Sequence, residues 1–222
     1  MNLRGILFDL DGTLGDTLPV CVGALQETLY HFTHRDYTKD EIFSMFGPSE
    51  EGMIYRFIPE PQRQAALDDL HQRYTRLHES ARQPFPGVIP LLETLKRRGV
   101  RTGIVTGKGR GTAEISLEMM GLAPYIETLV TGSPEGAEKP ASIRQALAQW
   151  RLPAGEVAYV GDMPYDMLAA REAGVIPLGA AWAQTATVRD GDGAVKVFHS
   201  VDELAGWLDE ELAAARRLNP PV

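Results

Sequence analysis

Asp9 and Asp11 stand one residue apart in ILFDLDGTLGDT, residues 6–17, where an apolar run meets a Gly-Thr turn. Three further short stretches carry polar groups at equivalent points. Thr106, Gly107 and Lys108 follow TGIV; Lys139 sits in EKP; Asp162 and Asp166 lie four apart after VAYVG. If these stretches share one rim, four carboxylates, one hydroxyl and the Lys139 ammonium collect there. Carboxylates so close repel unless a cation lies among them. With no Cys or His cluster beside them, the natural choice is a hard, oxygen-seeking ion such as Mg²⁺. Each piece alone has a plainer reading. DGT is a common turn, Asp162 could cap a helix beginning at Pro164, and Thr106 could cap its own helix. Their joint occurrence at the ends of regular elements favours a site.

The elements that would position them alternate. GILFD (5–9), TGIVT (102–106), TLVTG (128–132) and VAYVGD (157–162) are short apolar, β-branched runs, and VIPLG (175–179) and VKVFH (195–199) are further candidates. Runs without alternation suit strands buried on both faces, as in a parallel sheet. Val88, Leu91, Leu92 and Leu95 make a helical stripe closed by KRRG, and Val201, Leu204, Ala205, Leu208 and Leu212 make another. The pattern predicts an α/β fold with a Rossmann-like, doubly wound parallel sheet, whose ligands bind beyond the carboxyl ends of the strands.

Residues 17–83 break this rhythm with helical patterns only. Leu18, Val22, Leu25, Leu29 and Phe32 share one face, Thr38 and Glu41 form a capping-box pattern, and Leu67, Leu70, Tyr74 and Leu77 give another stripe. PFPG (84–87) returns the chain to alternation. The expected organisation is an α/β core, 1–16 plus 84–222, with an all-helical insert over 17–83. The tail RRLNPPV (216–222) is expected to fray.

Composition narrows the function. The 222 residues carry a formal net charge of −8 and no long basic run, so a bare phosphate backbone is repelled on average and nucleic acid is not expected as a partner. Phosphate chemistry here needs a metal ion or a few placed cations. Cys21 is the only cysteine, which excludes an internal disulfide, and it reads as a small apolar helix residue. No run approaches a membrane span of roughly 20 apolar residues or a signal-peptide core, and the expected location is cytoplasmic.

DLDGTL, VTG, EKP and GDMPYD, in that order, resemble the four motifs of the haloacid dehalogenase-like hydrolase superfamily, in its phosphoglycolate phosphatase-like and β-phosphoglucomutase-like branch. The resemblance spans nearly the whole chain and puts the insert where that family carries a helical cap. It implies a Mg²⁺-dependent phosphatase acting on a small phosphorylated metabolite, as monomer or homodimer. Asp9 would be the nucleophile and a metal ligand. Asp11 would be the general acid–base, its backbone carbonyl also on the metal. Thr106 and the Gly107 amide would hold phosphoryl oxygens, Lys139 would offset charge on Asp9 and the phosphate, and Asp162 and Asp166 would complete the metal site. The family's dehalogenases commonly carry tyrosine at the place of Asp11, so Asp11 favours phosphatase. Met163 stands where close relatives often have serine. The alternatives are a phosphosugar mutase, an inorganic pyrophosphatase, or a non-catalytic binding protein of the same fold; the last is disfavoured because Asp9, Lys139 and Asp162 are all present. Against the mutase, Gly15 stands where the resembling β-phosphoglucomutases have a threonine that positions the acid–base aspartate.

Other signals are weaker. GIVTGKG (103–109) fails as a P-loop, being one residue short before Gly-Lys and lacking the Ser/Thr that follows. His31, His34, His71 and His78 read as surface histidines, and Lys108 and Arg110 as an exposed turn or an extension of the phosphate site. FGPSEEG (46–52) reads first as a helix–helix turn; since in the resembling family a cap loop contributes to substrate choice, the resemblance also makes it the candidate for that role. Glu50 and Glu51 would disfavour a second anionic group if they point inward, and Arg56 could counter them.

Overall fold

The computed structural model of the protein describes residues 2–136 and 138–218. Six parallel strands form one sheet: β1 (Gly5–Phe8), β2 (Arg101–Val105), β3 (Thr128–Val130), β4 (Val157–Gly161), β5 (Ile176–Ala180) and β6 (Lys196–Phe198), in the order β3-β2-β1-β4-β5-β6. All four principal strand expectations and both further candidates are present. β1 lies inside the sheet, with Gly5 opposite Arg101 of β2 on one side and Val157 of β4 on the other. Its side chains explain the unbroken apolar run. Ile6 and Phe8 join one buried cluster, Leu7 joins another, and both faces are therefore dry.

Helix α5 (Val88–Arg97) and the last helix, α9 (Val201–Leu218), cover the first of these faces. The sequence stripe Val88, Leu91, Leu92 and Leu95 is buried in that cluster with Val201, Leu204, Leu208 and Leu212. On the opposite face lie α7 (Lys139–Trp150) and α8 (Pro164–Ala173), through Ile143, Leu147, Trp150 and Ala170. Helix α6 (Arg110–Met119) follows β2. Of the tail expected to fray, residues 216–218 continue α9 and residues 219–222 lie outside the described residues.

Between β1 and α5 the chain is helical: α1 (Leu18–Thr33), α2 (Lys39–Ser44), α3 (Glu50–Phe57) and α4 (Glu60–His78), then a single 3₁₀ turn over Glu79–Ala81. The Thr38–Glu41 capping box forms reciprocally, with Glu41 N donating to Thr38 Oγ1 at 3.2 Å and Thr38 N to Glu41 Oε2 at 2.8 Å. These helices share their own apolar cluster, in which Leu25, Leu29, Ile42, Ile54, Leu70 and Tyr74 are buried, and Ile115 of α6 packs against it. The sheet and the helical segment thus each bury a separate core, and they meet where β1 and β2 end.

Candidate active site

β1 and β4 are neighbours whose connections leave in different directions, which opens a crevice beyond their carboxyl ends. Asp9 leaves β1 held by its own backbone, since Asp9 N donates to Val160 O at 2.9 Å. Leu10 N donates to Asp9 Oδ1 at 2.8 Å, which turns the other oxygen, Oδ2, toward Lys139 Nζ at 2.9 Å. Lys139, in the first turn of α7, also donates to Asp166 Oδ1 at 2.6 Å. Asp9, Asp162 and Asp166 each bring a carboxylate oxygen within 4.8 Å of the others.

All three carboxyl groups and Lys139 are buried. Burial, then the charges of Asp9 and Asp166, push Asp162 up to about 8. Burial also raises Asp166, against the pull of Lys139. Burial alone would lower Lys139, but the charge on Asp9, together with Tyr159 and the charge and hydrogen bond of Asp166, outweighs it and holds the ammonium well above the usual lysine range. One ammonium cannot balance three carboxylates. The remaining negative charge, on an all-oxygen donor set, fits a hard divalent cation.

The plainer readings of these residues do not hold. α8 does begin at Pro164, but Met163 is its N-cap, and Met163 N donates to Asp166 Oδ2 at 2.9 Å. The Asp162 carboxylate is left for the cluster. Likewise Gly109, not Thr106, caps α6; Thr106 Oγ1 accepts from Lys108 N at 3.3 Å. The DGT turn is a turn with a purpose: Gly12 has φ +74°, and a Cβ there would lie 2.4 Å from Asp162 Oδ2. Only glycine lets the loop after β1 pass over that carboxylate.

Asp11 faces another way. Its carboxylate is not part of the three-acid cluster; it accepts from Thr17 Oγ1 at 2.5 Å and lies 3.3 Å from Lys108 Nζ. Burial raises its pKa, more than Lys108 and the Thr17 hydroxyl lower it. An aspartate that holds its proton more tightly is suited to donate it to a leaving oxygen. The hydroxyl that the family comparison puts at position 15 comes instead from Thr17. A Cβ on Gly15 would meet Met120 Sδ at 2.5 Å, so a side chain at position 15 would require that methionine to move. The pairing of residues 11 and 15 as an isolated backbone bridge brings Thr17 back to Asp11, a contact that spacing alone does not reveal.

Lys108 is neither an exposed turn residue nor a free phosphate ligand. It is buried, 3.2 Å from Glu50 Oε1 and 4.8 Å from the centre of the Tyr74 ring. Glu50, at the start of α3, reaches across to the loop after β2. It accepts from Gly109 N at 2.5 Å and Thr112 Oγ1 at 2.8 Å, with Cys21 Sγ at 3.5 Å. Burial would raise Glu50, but Lys108 and the Gly109 N–H outweigh it and keep it below the usual glutamate value. So Glu50 does point inward, but its charge is spent on Lys108 and on the N-terminus of α6. Glu51 lies against Gly109, Arg56 is exposed, and Arg110 is exposed and paired with Glu114 at 3.0 Å.

The histidines divide. His31 is exposed and bonded to Asp69 at 3.0 Å. His78 is a correction: it is fully buried, with Nε2 3.1 Å from Ser116 Oγ, because the end of α4 packs on α6. Tyr74, one turn earlier, makes the same contact at 2.7 Å.

A cavity of about 630 Å³ joins these groups. Asp9, Asp11, Thr106, Gly107, Lys108, Lys139 and Asp162 line its floor, and α1, the segment 43–48 and α3 supply the opposite wall. Every core residue singled out in the sequence lines it except Asp166, which sits behind Lys139.

A parallel α/β sheet with a carboxylate-rich floor at its switch point, and an acid two residues beyond the central aspartate, fits an enzyme of phosphoryl-transfer type. The chain belongs to the haloacid dehalogenase-like hydrolase family, whose model matches residues 6–180. It is 33% identical over 188 residues to pyrophosphatase PpaX of Bacillus pumilus, spanning 82% of this chain and 85% of that one. It is 29% identical over 218 residues to phosphoglycolate phosphatase of Rhodospirillum rubrum, spanning 92% and 90%. Among solved structures, CbbY of Rhodobacter sphaeroides in complex with phosphate superposes with a TM-score of 0.77 at 22% identity, covering 91% of this chain and 96% of that one. A hydrolase from Pseudomonas syringae does so with a TM-score of 0.70 at 28% identity, covering 94% and 98%. No helix among the described residues is long and apolar enough to cross a membrane.

Proposed function

We propose that the protein is a Mg²⁺-dependent phosphatase that hydrolyses small phosphomonoesters through an aspartyl-phosphate on Asp9. The observation that carries this reading is the division of labour between two aspartates on one loop. Asp9 is buried against Lys139 beside Asp162 and Asp166, and Asp11 faces Thr17 and Lys108 with a raised pKa.

Asp9, Asp162 and Asp166 would hold the metal, with the Asp11 carbonyl. Bound there, the ion would screen these carboxylates from the phosphoryl group and would draw charge from its oxygens. The Asp9 oxygen attacks phosphorus as the bond to the leaving oxygen breaks, and Asp11 gives its proton to that oxygen. Asp11, now a carboxylate, takes a proton from water; the water oxygen bonds to phosphorus, and the bond to Asp9 breaks. Thr106, the Gly107 amide and Lys139 hold the phosphoryl oxygens throughout. The helical segment, over 17–83, acts as a lid that excludes bulk water during these steps.

Similarity to PpaX favours a second reading, hydrolysis of inorganic pyrophosphate at the same site. Phosphate release measured over some dozens of phosphomonoesters and pyrophosphate, with Mg²⁺ and with excess EDTA, tests both. Turnover of at least one monoester that vanishes in EDTA and returns with Mg²⁺ is expected. Undiminished turnover in EDTA overturns the metal assignment.

A further inference from the structure

The half of the cavity away from the phosphate position has the wrong electrostatics for an anionic leaving group. Lys108, on the floor at the edge of this half, is the one cation it meets among the described residues, and two carboxyl groups already flank it, Asp11 at 3.3 Å and Glu50 at 3.2 Å. Arg56 is exposed and does not line the cavity, and Arg110 is paired with Glu114. At the floor Lys139 is shared between Asp9 and Asp166. Five carboxyl groups therefore meet two ammonium groups. With Asp11 holding its proton and a divalent ion bound, the four remaining carboxylates match the four positive charges, so no cation is left over for a second negative group on the substrate, and burying one unpaired is costly.

The wall says what belongs there instead. Phe43, Phe46, Met163 and Tyr165 line this cavity, and they are four of the seven large apolar side chains that the described residues leave exposed. They come from both sides of the opening, α2 and the turn after it on one and the start of α8 on the other. Scattered exposed apolar groups are ordinary, but a concentration of them around one concave site marks a ligand surface. Deeper in, Leu18 and Met53 continue the apolar wall. Thr185 also lines it, with a buried hydroxyl that has no hydrogen-bond partner among the described residues, a place for one uncharged polar group.

We infer that the leaving group is the uncharged alcohol of an apolar or aromatic body, and that the site discriminates against phosphoglycolate and pyrophosphate, whose leaving portions carry charge. Glu50 sets this preference by occupying Lys108. The inference rests on the phosphatase reading above.

Four substrates compared on the full-length protein with Mg²⁺ test it: benzyl phosphate, phosphoglycolate, pyrophosphate and the activated ester 4-nitrophenyl phosphate. Expected is a kcat/KM for benzyl phosphate at least about tenfold above those for phosphoglycolate and pyrophosphate. Glu50→Gln releases Lys108 from one partner, and should raise the phosphoglycolate-to-benzyl ratio by about fivefold or more. Phe46→Ser, on the exposed rim, should lower kcat/KM for benzyl phosphate and spare phosphoglycolate, so the preference is testable even if the Glu50 variant does not fold. Hydrolysis of 4-nitrophenyl phosphate together with a preference for phosphoglycolate or pyrophosphate overturns the inference and leaves the phosphatase reading intact. An unchanged ratio in folded Glu50→Gln overturns the part assigned to Glu50. No phosphate from any of the four overturns the phosphatase reading itself.

Discussion

On the floor of the cavity, the groups that face the phosphate position come from strand ends and the first turns of the helices that follow them. Backbone bonds fix them, as Val160 O fixes Asp9 and Met163 N fixes Asp166. The opposite wall is made of α1, α3 and the segment 43–48, whose apolar positions are set by how those helices pack on one another. A sheet edge holds charge at hydrogen-bond precision, and a small bundle offers shape and apolar surface. Chemistry and selectivity can therefore vary independently on the two sides of one cavity, and Glu50 is the point where the helical side reaches across into the other.

If the floor alone carries the chemistry, the largest losses must come from it. Asp9→Asn leaves a shape nearly unchanged but an amide where a nucleophile is needed, so turnover should fall by at least about 10⁴-fold. Asp11→Asn keeps the Thr17 contact and removes the transferable proton, and about 10²–10⁴-fold is expected. The difference is chemical: an activated leaving group such as 4-nitrophenol should rescue Asp11→Asn in part and Asp9→Asn not at all. Steady-state rates on both ester types check this. Equal rescue of the two variants would show that the roles are wrongly divided.

A subtler change on the same loop sharpens the comparison. Gly12→Ala puts a Cβ at 2.4 Å from Asp162 Oδ2 on a backbone of φ +74°, so Asp162 must move. The strain costs about 1–3 kcal/mol. The expected result is a several-degree drop in Tm together with a higher Mg²⁺ concentration for half-maximal activity. The opposite wall should not respond: the ratio between benzyl phosphate and phosphoglycolate should stay at the wild-type value. Titrations of activity against Mg²⁺, with melting curves, separate the two effects.

The same division explains what is legible in the sequence. Strand ends are punctuated by motifs, because only a few residue types serve there, so Asp9, Asp11, Thr106, Lys139, Asp162 and Asp166 can be located from the sequence alone. The parallel sheet follows from unbroken apolar runs, whose two-sided burial is plain at Ile6, Leu7 and Phe8. What spacing cannot show are contacts between distant segments. Glu50 lies 58 residues from Lys108, and its polar partners belong to the loop after β2 and to α6. Thr17 is a nearer case, since it follows Asp11 by one short loop, but nothing in the spacing shows that the loop turns its hydroxyl back to the Asp11 carboxylate. His78 reads as a surface residue for a related reason. The α4 stripe that ends in Tyr74 and Leu77 is visible in the sequence, but not that Tyr74, with His78 one turn on, packs on Ser116 of α6.

That packing yields the smallest expected effect, and one confined to the junction between the two regions. His78 is fully buried, and its Nδ1 has no hydrogen-bond partner among the described residues. Burial lowers its pKa; Lys108 adds to this, while a backbone hydrogen bond, Asp11 and Glu79 oppose it. The folded protein therefore binds a proton at His78 less readily than the unfolded chain does. The stability it contributes is complete above the ordinary histidine value of 6.5 and is lost as pH falls through that value toward the lower folded one. His78→Gln keeps a donor for Ser116 and removes the titration. Its urea midpoint should lie below wild type at pH 7.5, where the packed imidazole is neutral, and the gap should narrow by pH 5.5. If the two midpoints instead move in parallel across that range, His78 takes no part in the acid sensitivity of the junction; the floor carboxyls raised by burial add stability as pH falls and cannot stand in for it.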